Sequence, residues 1–337
     1  MIDLFSDTVT RPSPAMRQFM ARAEVGDEQR GLDPTVNLLQ EMVAELLGKE
    51  AALFLPSGTM CNQIAFGVHC RPGDEIIMDV TAHPFNYEAG GPAALYGALI
   101  RPIDGRRGIF TPDQLSAAVR TPHHHNPKSR VVSVEQTTNI GGGACWPEQA
   151  VREVCARARD HSLITHMDGA RLMNAVVATG TPAANYASSF DSVWLDLSKG
   201  LGCPVGAVLA GSRDFITEAW PHKHRLGGAM RQAGIIAAAG VYALRHNVDR
   251  LADDHHNARL LAHGLAGIKG ITLDIGSVET NIVIFEVEDA AGIARRMEEE
   301  GVSVTVIGPR TLRAVTHLDV GREGIETALR AAEKVMR

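Results

Sequence analysis

The sequence predicts an α/β architecture: a large domain with a mostly parallel sheet, followed by a smaller C-terminal α+β domain. Three observations predict it. Short β-branched, apolar runs alternate with amphipathic stretches of about 10–15 residues, the pattern of βαβ units and a parallel sheet. After about residue 245 the texture changes to a long polar helix, three alternating runs and a closing helix. No repeat, low-complexity tract or Pro/Ser-rich linker splits the 337 residues, a length that corresponds to about two domains. The expected division is 1–245 and 246–337.

The elements follow in order. In the large domain, strand-like runs fall at Ala51–Leu55, Asp74–Met78, Arg130–Val134, Ser162–Met167, Ser192–Leu197 and Gly206–Ala210. Between and around them, helical spacing covers Pro34–Leu47, Thr59–Val68, Thr111–Ala118, Pro147–Asp160 and Arg231–Leu244. The small domain opens with a polar helix at Asp249–Leu265. It continues with alternating runs at Thr280–Phe285, Val302–Val306 and Thr311–Val315, then a helix at Arg322–Met336.

Composition removes several function classes. An apolar content of 45% excludes wholesale disorder, and a net charge of -6 argues against nucleic acid or an anionic membrane as partner. The start, Met1-Ile-Asp-Leu-Phe-Ser-Asp7, lacks a basic segment followed by an apolar one, so it does not read as a signal peptide. The most apolar stretch, Ala233–Leu244, is too short to span a bilayer. Five cysteines, widely spread and without a CxxC pair, suit neither a disulfide framework nor a zinc site. A protein of the reducing cytoplasm is expected. His123-His124-His125 reads as a polar loop and His255-His256 as part of a solvated helix, and no metal site is expected.

Lysine is scarce. Of 33 basic residues only Lys49, Lys128, Lys199, Lys223, Lys269 and Lys334 are amines. Five of them sit in polar or helix-end settings and read as solvated, with His222-Lys223-His224 placed in a loop. Lys199 ends a nearly continuous apolar strand and is followed by Gly-Leu-Gly. A desolvated amine there suits Schiff-base formation and proton transfer.

Three other segments carry residue types that a packed core does not ask for. Ser57-Gly58-Thr59 joins an apolar strand to a helix, offering backbone N–H groups to a phosphate or simply capping the helix. Asp168, in His166-Met-Asp-Gly-Ala-Arg171, stands at the sheet's carboxyl edge, as a ligand contact or as a strand-end salt bridge. Arg313, in an alternating strand of the small domain, suits capture of a carboxylate but also fits an exposed edge. The order is more telling than any part. Phosphate cup, strand-end Asp and strand-end Lys is what a pyridoxal 5'-phosphate enzyme of the aspartate aminotransferase fold (fold type I) requires.

At these residues the sequence resembles the low-specificity L-threonine aldolases of the β-eliminating lyase group, over almost the whole chain. The likeness runs through Ser6-Asp7-Thr8-Val9-Thr10-Arg11-Pro12, Pro56-Ser57-Gly58-Thr59-Met60 and Ala82-His83. It continues in Glu88-Ala89-Gly90-Gly91, Asp168-Gly169-Ala170-Arg171, Leu197-Ser198-Lys199-Gly200 and Gly227-Gly228-Ala229-Met230-Arg231-Gln232-Ala233-Gly234. The resemblance implies that Lys199 holds the cofactor covalently, Asp168 pairs with its ring nitrogen, Gly58 and Thr59 bind its phosphate and His83 stacks on the ring. It further implies that Ser6, Arg171 and Arg313 grip the substrate carboxylate. The assembly it implies is a homotetramer, a dimer of dimers, in which Arg231 reaches a neighbour's phosphate.

Two departures fall where the family meets its substrate. Glu135-Gln136-Thr137-Thr138-Asn139 has Thr138 where the family has a histidine, and Arg30-Gly31-Leu32-Asp33-Pro34 has Arg30 where it has a tyrosine. A threonine cannot replace an imidazole as base, and Arg30 is a candidate for a second anionic group on the substrate. The expected reaction is retro-aldol cleavage of a β-hydroxy-α-amino acid to glycine and an aldehyde. The alternative is β-elimination or racemisation on the same scaffold.

Overall fold

The computed structural model describes all 337 residues. Twelve strands occur: β1 (Ile2–Asp3), β2 (Ala51–Leu55), β3 (Asp74–Asp79), β4 (Leu99–Ile103), β5 (Lys128–Glu135), β6 (Ile164–Asp168), β7 (Ser192–Asp196), β8 (Ala207–Gly211), β9 (Ile282–Glu286), β10 (Val302–Ser303), β11 (Thr305–Gly308) and β12 (Thr311–Val315). A seven-stranded sheet has the order β2-β8-β7-β6-β5-β3-β4. β8 alone runs against its neighbours β2 and β7, while β7, β6, β5, β3 and β4 are mutually parallel. The carboxyl ends of β2, β5, β6 and β7 therefore share one edge, the place where open α/β sheets bind ligands.

The central strands β7 and β8 are buried along their whole length, as a sheet with helices on both faces requires. One apolar core extends from Met16 to Leu251 and a second gathers around Ala258–Val335. The start of the chain belongs with the second: β1 pairs with β10, and Leu4 packs in that core. The small domain's antiparallel sheet has the order β11-β12-β9.

Several expectations needed correction. β4 carries Pro102 and lies at the sheet's edge, where a missing ladder donor is tolerated, so its pattern hid it. The run Val302–Val306 divides into β10 and β11, which join different sheets. His222-Lys223-His224 lies inside the helix Arg213–Arg225 rather than in a loop. Lys223 is fully buried and His255 is 2% exposed, against the solvated positions expected of both. Glu28 neutralises the first, and Asn174 lies 3.2 Å from Nε2 of the second.

Candidate active site

A cavity of about 570 Å³ opens at the shared edge of β2, β5, β6 and β7 and is roofed by the small domain. Ser6, Gly58, Thr59, His83, Asp168, Arg171, Lys199 and Arg313 all line it. Their sequence positions span nearly the whole chain.

At one side β2 runs into the helix Gly58–His69. Ser57 is extended and its hydroxyl accepts from the Met60 amide, which caps the helix and leaves the first N–H groups without intrahelical acceptors. Gly58 permits the tight join, because a Cβ there would fall 2.2 Å from the Trp194 indole. Lys199 follows β7. Its Nζ lies 2.6 Å from Asp196 Oδ2, and its side chain keeps 20% of its surface exposed. Asp196 is itself oriented by the amide and hydroxyl of Ser198.

Asp168 ends β6 and is almost wholly buried, accepting from Asn62 Nδ2 at 2.9 Å and the Ala170 amide at 3.0 Å. Burial raises its pKa, and the Asn62 hydrogen bond opposes that rise. His83 Nδ1 lies 2.9 Å from Glu88 Oε1. Burial disfavours charge on this ring, but the Glu88 bond and the carboxylates of Asp168 and Glu135 outweigh it and raise its pKa. Glu135, the register partner of Asp168 at the end of β5, receives only two amide N–H groups, from His83 and Asn139. Burial, and then the charge of Asp168, push it up to about 8.

The arginine side of the cavity draws on segments that flank both apolar cores. Arg171 Nε and Nη2 form a two-pronged pair with Asp7 at 2.8 and 2.7 Å. Although burial works to raise the Asp7 pKa, this pair brings it down to about 2. Ser6, next in chain, accepts from the Thr8 amide and hydroxyl. Arg313 differs from Arg171: it has no carboxylate partner within salt-bridge distance. It donates to Asn139 Oδ1 at 2.7 Å and to the Phe5 carbonyl at 3.3 Å, and its buried Nε has no partner. Burial and the adjacent Arg171 both lower its pKa. A buried guanidinium in this condition calls for an anion.

Three expected residues are not brought to the cavity. Arg30 is exposed on a 3-10 turn, and Arg231 is 64% exposed and paired with Asp27 at 3.2 Å. Thr138 is buried, its hydroxyl without a partner, and packs against Gly108 and Gly141 while its neighbours Asn139 and Ile140 face the cavity. Sequence reasoning missed Asp7, Asn62, Glu88, Glu135 and Asp196. Asp7, Glu88 and Glu135 lay inside quoted motifs, whereas Asn62 sits in mid-helix with no local signal.

The residues fit pyridoxal 5'-phosphate. A capped helix start whose glycine admits no side chain faces the same space as a buried acid and a reachable amine, and an unpaired guanidinium stands opposite for a carboxylate. The comparisons agree. Residues 3–290 match the family described as beta-eliminating lyase. The low specificity L-threonine aldolase of Escherichia coli K12 is 43% identical over 326 residues, covering 96% of each chain. Low-specificity L-threonine aldolase 1 of Arabidopsis thaliana is 39% identical, covering 99% of this chain and 96% of its own. In fold, the chain is similar to the Leishmania major threonine aldolase, with TM-score 0.87, 20% identity and 99% coverage of both chains. It is also similar to Sphingomonas wittichii serine palmitoyltransferase, with TM-score 0.77, 19% identity, and coverage of 99% of this chain and 86% of that one.

Proposed function

The chain belongs to the beta-eliminating lyase family, and from that premise we propose a pyridoxal 5'-phosphate-dependent aldolase acting on β-hydroxy-α-amino acids of the threonine and allo-threonine type. It breaks the Cα–Cβ bond and releases glycine and an aldehyde. The observation that carries this reading is the pairing, in one cavity, of a reachable lysine with a buried arginine that has no acidic partner.

Lys199 is the residue that would hold the cofactor, with Asp168 at its ring nitrogen, the amides of Gly58 and Thr59 at its phosphate and His83 against its ring. When bound, the cofactor supplies an electron sink for the pair left on Cα. The remaining work falls to the chain's own side chains. Arg313 and the last free edge of Arg171 fix the α-carboxylate, and with it the torsion that sets which Cα bond is broken. Ser6 adds a hydroxyl to that grip. Asp7 holds Arg171 in place from behind. Thr138 is turned away from the cavity, so the imidazole that faces the substrate is His83.

Arg231 and Arg30 stand on the outer surface, and we place Arg231 at the phosphate of a neighbouring subunit in a homotetramer with shared sites. Arg30 has no partner in the structure that explains it. A cytoplasmic location is proposed from the five cysteines, all of which are buried free thiols. No helix is long and apolar enough to cross a membrane.

The test is a panel of threonine, allo-threonine, phenylserine and 3-hydroxyaspartate with glycine and aldehyde both quantified. Equal amounts of the two products from at least one substrate are expected. Pyruvate and ammonia from serine, with no glycine from any member of the panel, would point instead to β-elimination.

A further inference from the structure

Behind the cavity wall, buried polar side chains form a continuous hydrogen-bonded line that the chemistry above does not use. His166 and Asp168 lie two apart on β6, hence on one face of the sheet, and Ser192 is the register partner of His166 on β7. The helix Gly58–His69 packs over that face. It presents Asn62 and His69, two turns apart, with Phe66 between them set edge-on against His166.

The direction of every link can be derived. Trp194 Nε1 can only donate, and it lies 2.7 Å from Asn62 Oδ1, which fixes the orientation of the amide. Asn62 Nδ2 then donates to Asp168 Oδ2 at 2.9 Å and to Glu88 Oε1 at 2.8 Å. The same Oδ1 faces His166 Nε2 at 3.1 Å, so that nitrogen carries the hydrogen. Burial drives the His166 pKa down to about 3, which leaves the ring neutral and its Nδ1 an acceptor. Nδ1 receives the Ser192 hydroxyl at 2.8 Å, and Ser192 Oγ receives His69 Nε2–H at 2.8 Å. All the dipoles run one way, from His69 to two buried carboxylates.

We propose that Asn62, locked by Trp194 and by the line of His166, Ser192 and His69, is the positioning residue that holds Asp168 as an anion aimed at the cofactor's ring nitrogen, and that it links Asp168 to the Glu88–His83 pair. The proposal rests on the pairing of Asp168 with that nitrogen put forward above. The need for such a device is electrostatic. Asp168 is 1% exposed and has the carboxylates of Glu88 and Glu135 near it, both of which favour its protonation. Against them stand His83, Lys199 and the amide of Asn62. A donor whose direction is fixed beforehand stabilises the anion without reorganising. A free amide could turn its oxygen toward Asp168 and do the opposite.

The experiment compares Asn62→Leu, Ser192→Ala, His166→Phe, His166→Gln and Asp168→Asn. The readouts are cofactor dissociation constant and the pH midpoint of the bound cofactor's visible absorption. Asn62→Leu is expected to weaken cofactor binding about tenfold and to move the midpoint by about one pH unit, in the same direction as Asp168→Asn. His166→Phe gives a smaller loss, and His166→Gln, whose N–H reaches Asn62 Oδ1, restores most of it. In unloaded protein, nitrogen NMR of the imidazoles should report His166 as the neutral Nε2–H tautomer down to about pH 5. Ser192→Ala should release that tautomer and shift the midpoint the same way but by less, since Trp194 still donates to the amide, and it carries the test if Asn62→Leu does not fold. An Nδ1–H tautomer at His166 overturns the proposal. So does an unmoved midpoint in Asn62→Leu or Ser192→Ala when Asp168→Asn moves it. If Asp168→Asn itself leaves the midpoint unmoved, the ring-nitrogen pairing fails, and the positioning role fails with it.

Discussion

Two lysines, 24 positions apart, have opposite surroundings. Lys223 is the more buried: its side chain is 0% exposed, its Nζ is 2.9 Å from Glu28 Oε1, and it lies over the Trp220 ring at 4.7 Å. Lys199 keeps 20% of its side-chain surface, pairs with Asp196 at 2.6 Å and faces the cavity. Burial lowers the Lys223 pKa, and Glu28 opposes that fall. Depth alone therefore does not mark a reactive amine. A lysine enclosed with its counter-ion on all sides is a structural ion pair, whereas one at the rim of a charged cavity stays within reach of a ligand. The buried pair also has a local task. Glu28 accepts the Met230 amide and Gln29 donates to the Met230 carbonyl, so the turn that carries Arg30 and the loop that carries Arg231 are tied together.

The largest effect should come from Lys199→Ala. It is expected to remove the visible absorption of the lysine-bound cofactor and to lower kcat about 10³-fold or more. The contrast collapses if Lys223→Met does the same while leaving stability intact. Lys223→Met should instead destabilise the fold by about 3–5 kcal/mol, because Glu28 is left as an unpaired buried charge. The double variant Lys223→Met with Glu28→Leu should recover most of that loss, as measured by denaturant unfolding. The smallest effect of a single side chain is in the pH dependence. Burial holds His166 at about 3, and His69 and His255 at about 4, below the ordinary 6.5. Between those values the unfolded chain binds more protons than the folded one, so this stability is fully present above 6.5 and falls as the pH drops. Each histidine contributes up to about 1.4 kcal/mol per pH unit in that window. Unfolding curves taken between about pH 7 and 5 should show this slope, and His255→Asn should reduce it by one histidine's share.

Much of the fold was legible because periodicity is local. The spans of β2, β12 and the helix Pro34–Leu47 were read from the sequence to the residue. Asp168 and Lys199 were legible for the same reason: a polar residue that ends an apolar run is visible in a short window. Asn62 and Lys223 were not, since each lies inside a helix whose neighbours in sequence say nothing of the acid it meets. The helix Arg213–Arg225 was hidden by Pro221 and its cluster of histidines.

By itself, then, the sequence determined the alternation of strands and helices, the cofactor class and the residues at the ends of β6 and β7. Only the tertiary structure decided which charges are paired and which are free. Asp7 holds Arg171 across 164 positions, Glu28 holds Lys223 across 195, and Arg313 meets Asn139 across 174 with no acid beside it. The physical reason is that propensity and hydrophobic period are properties of a few successive residues. The partner of a buried charge is chosen by packing, which brings together segments that share no local pattern.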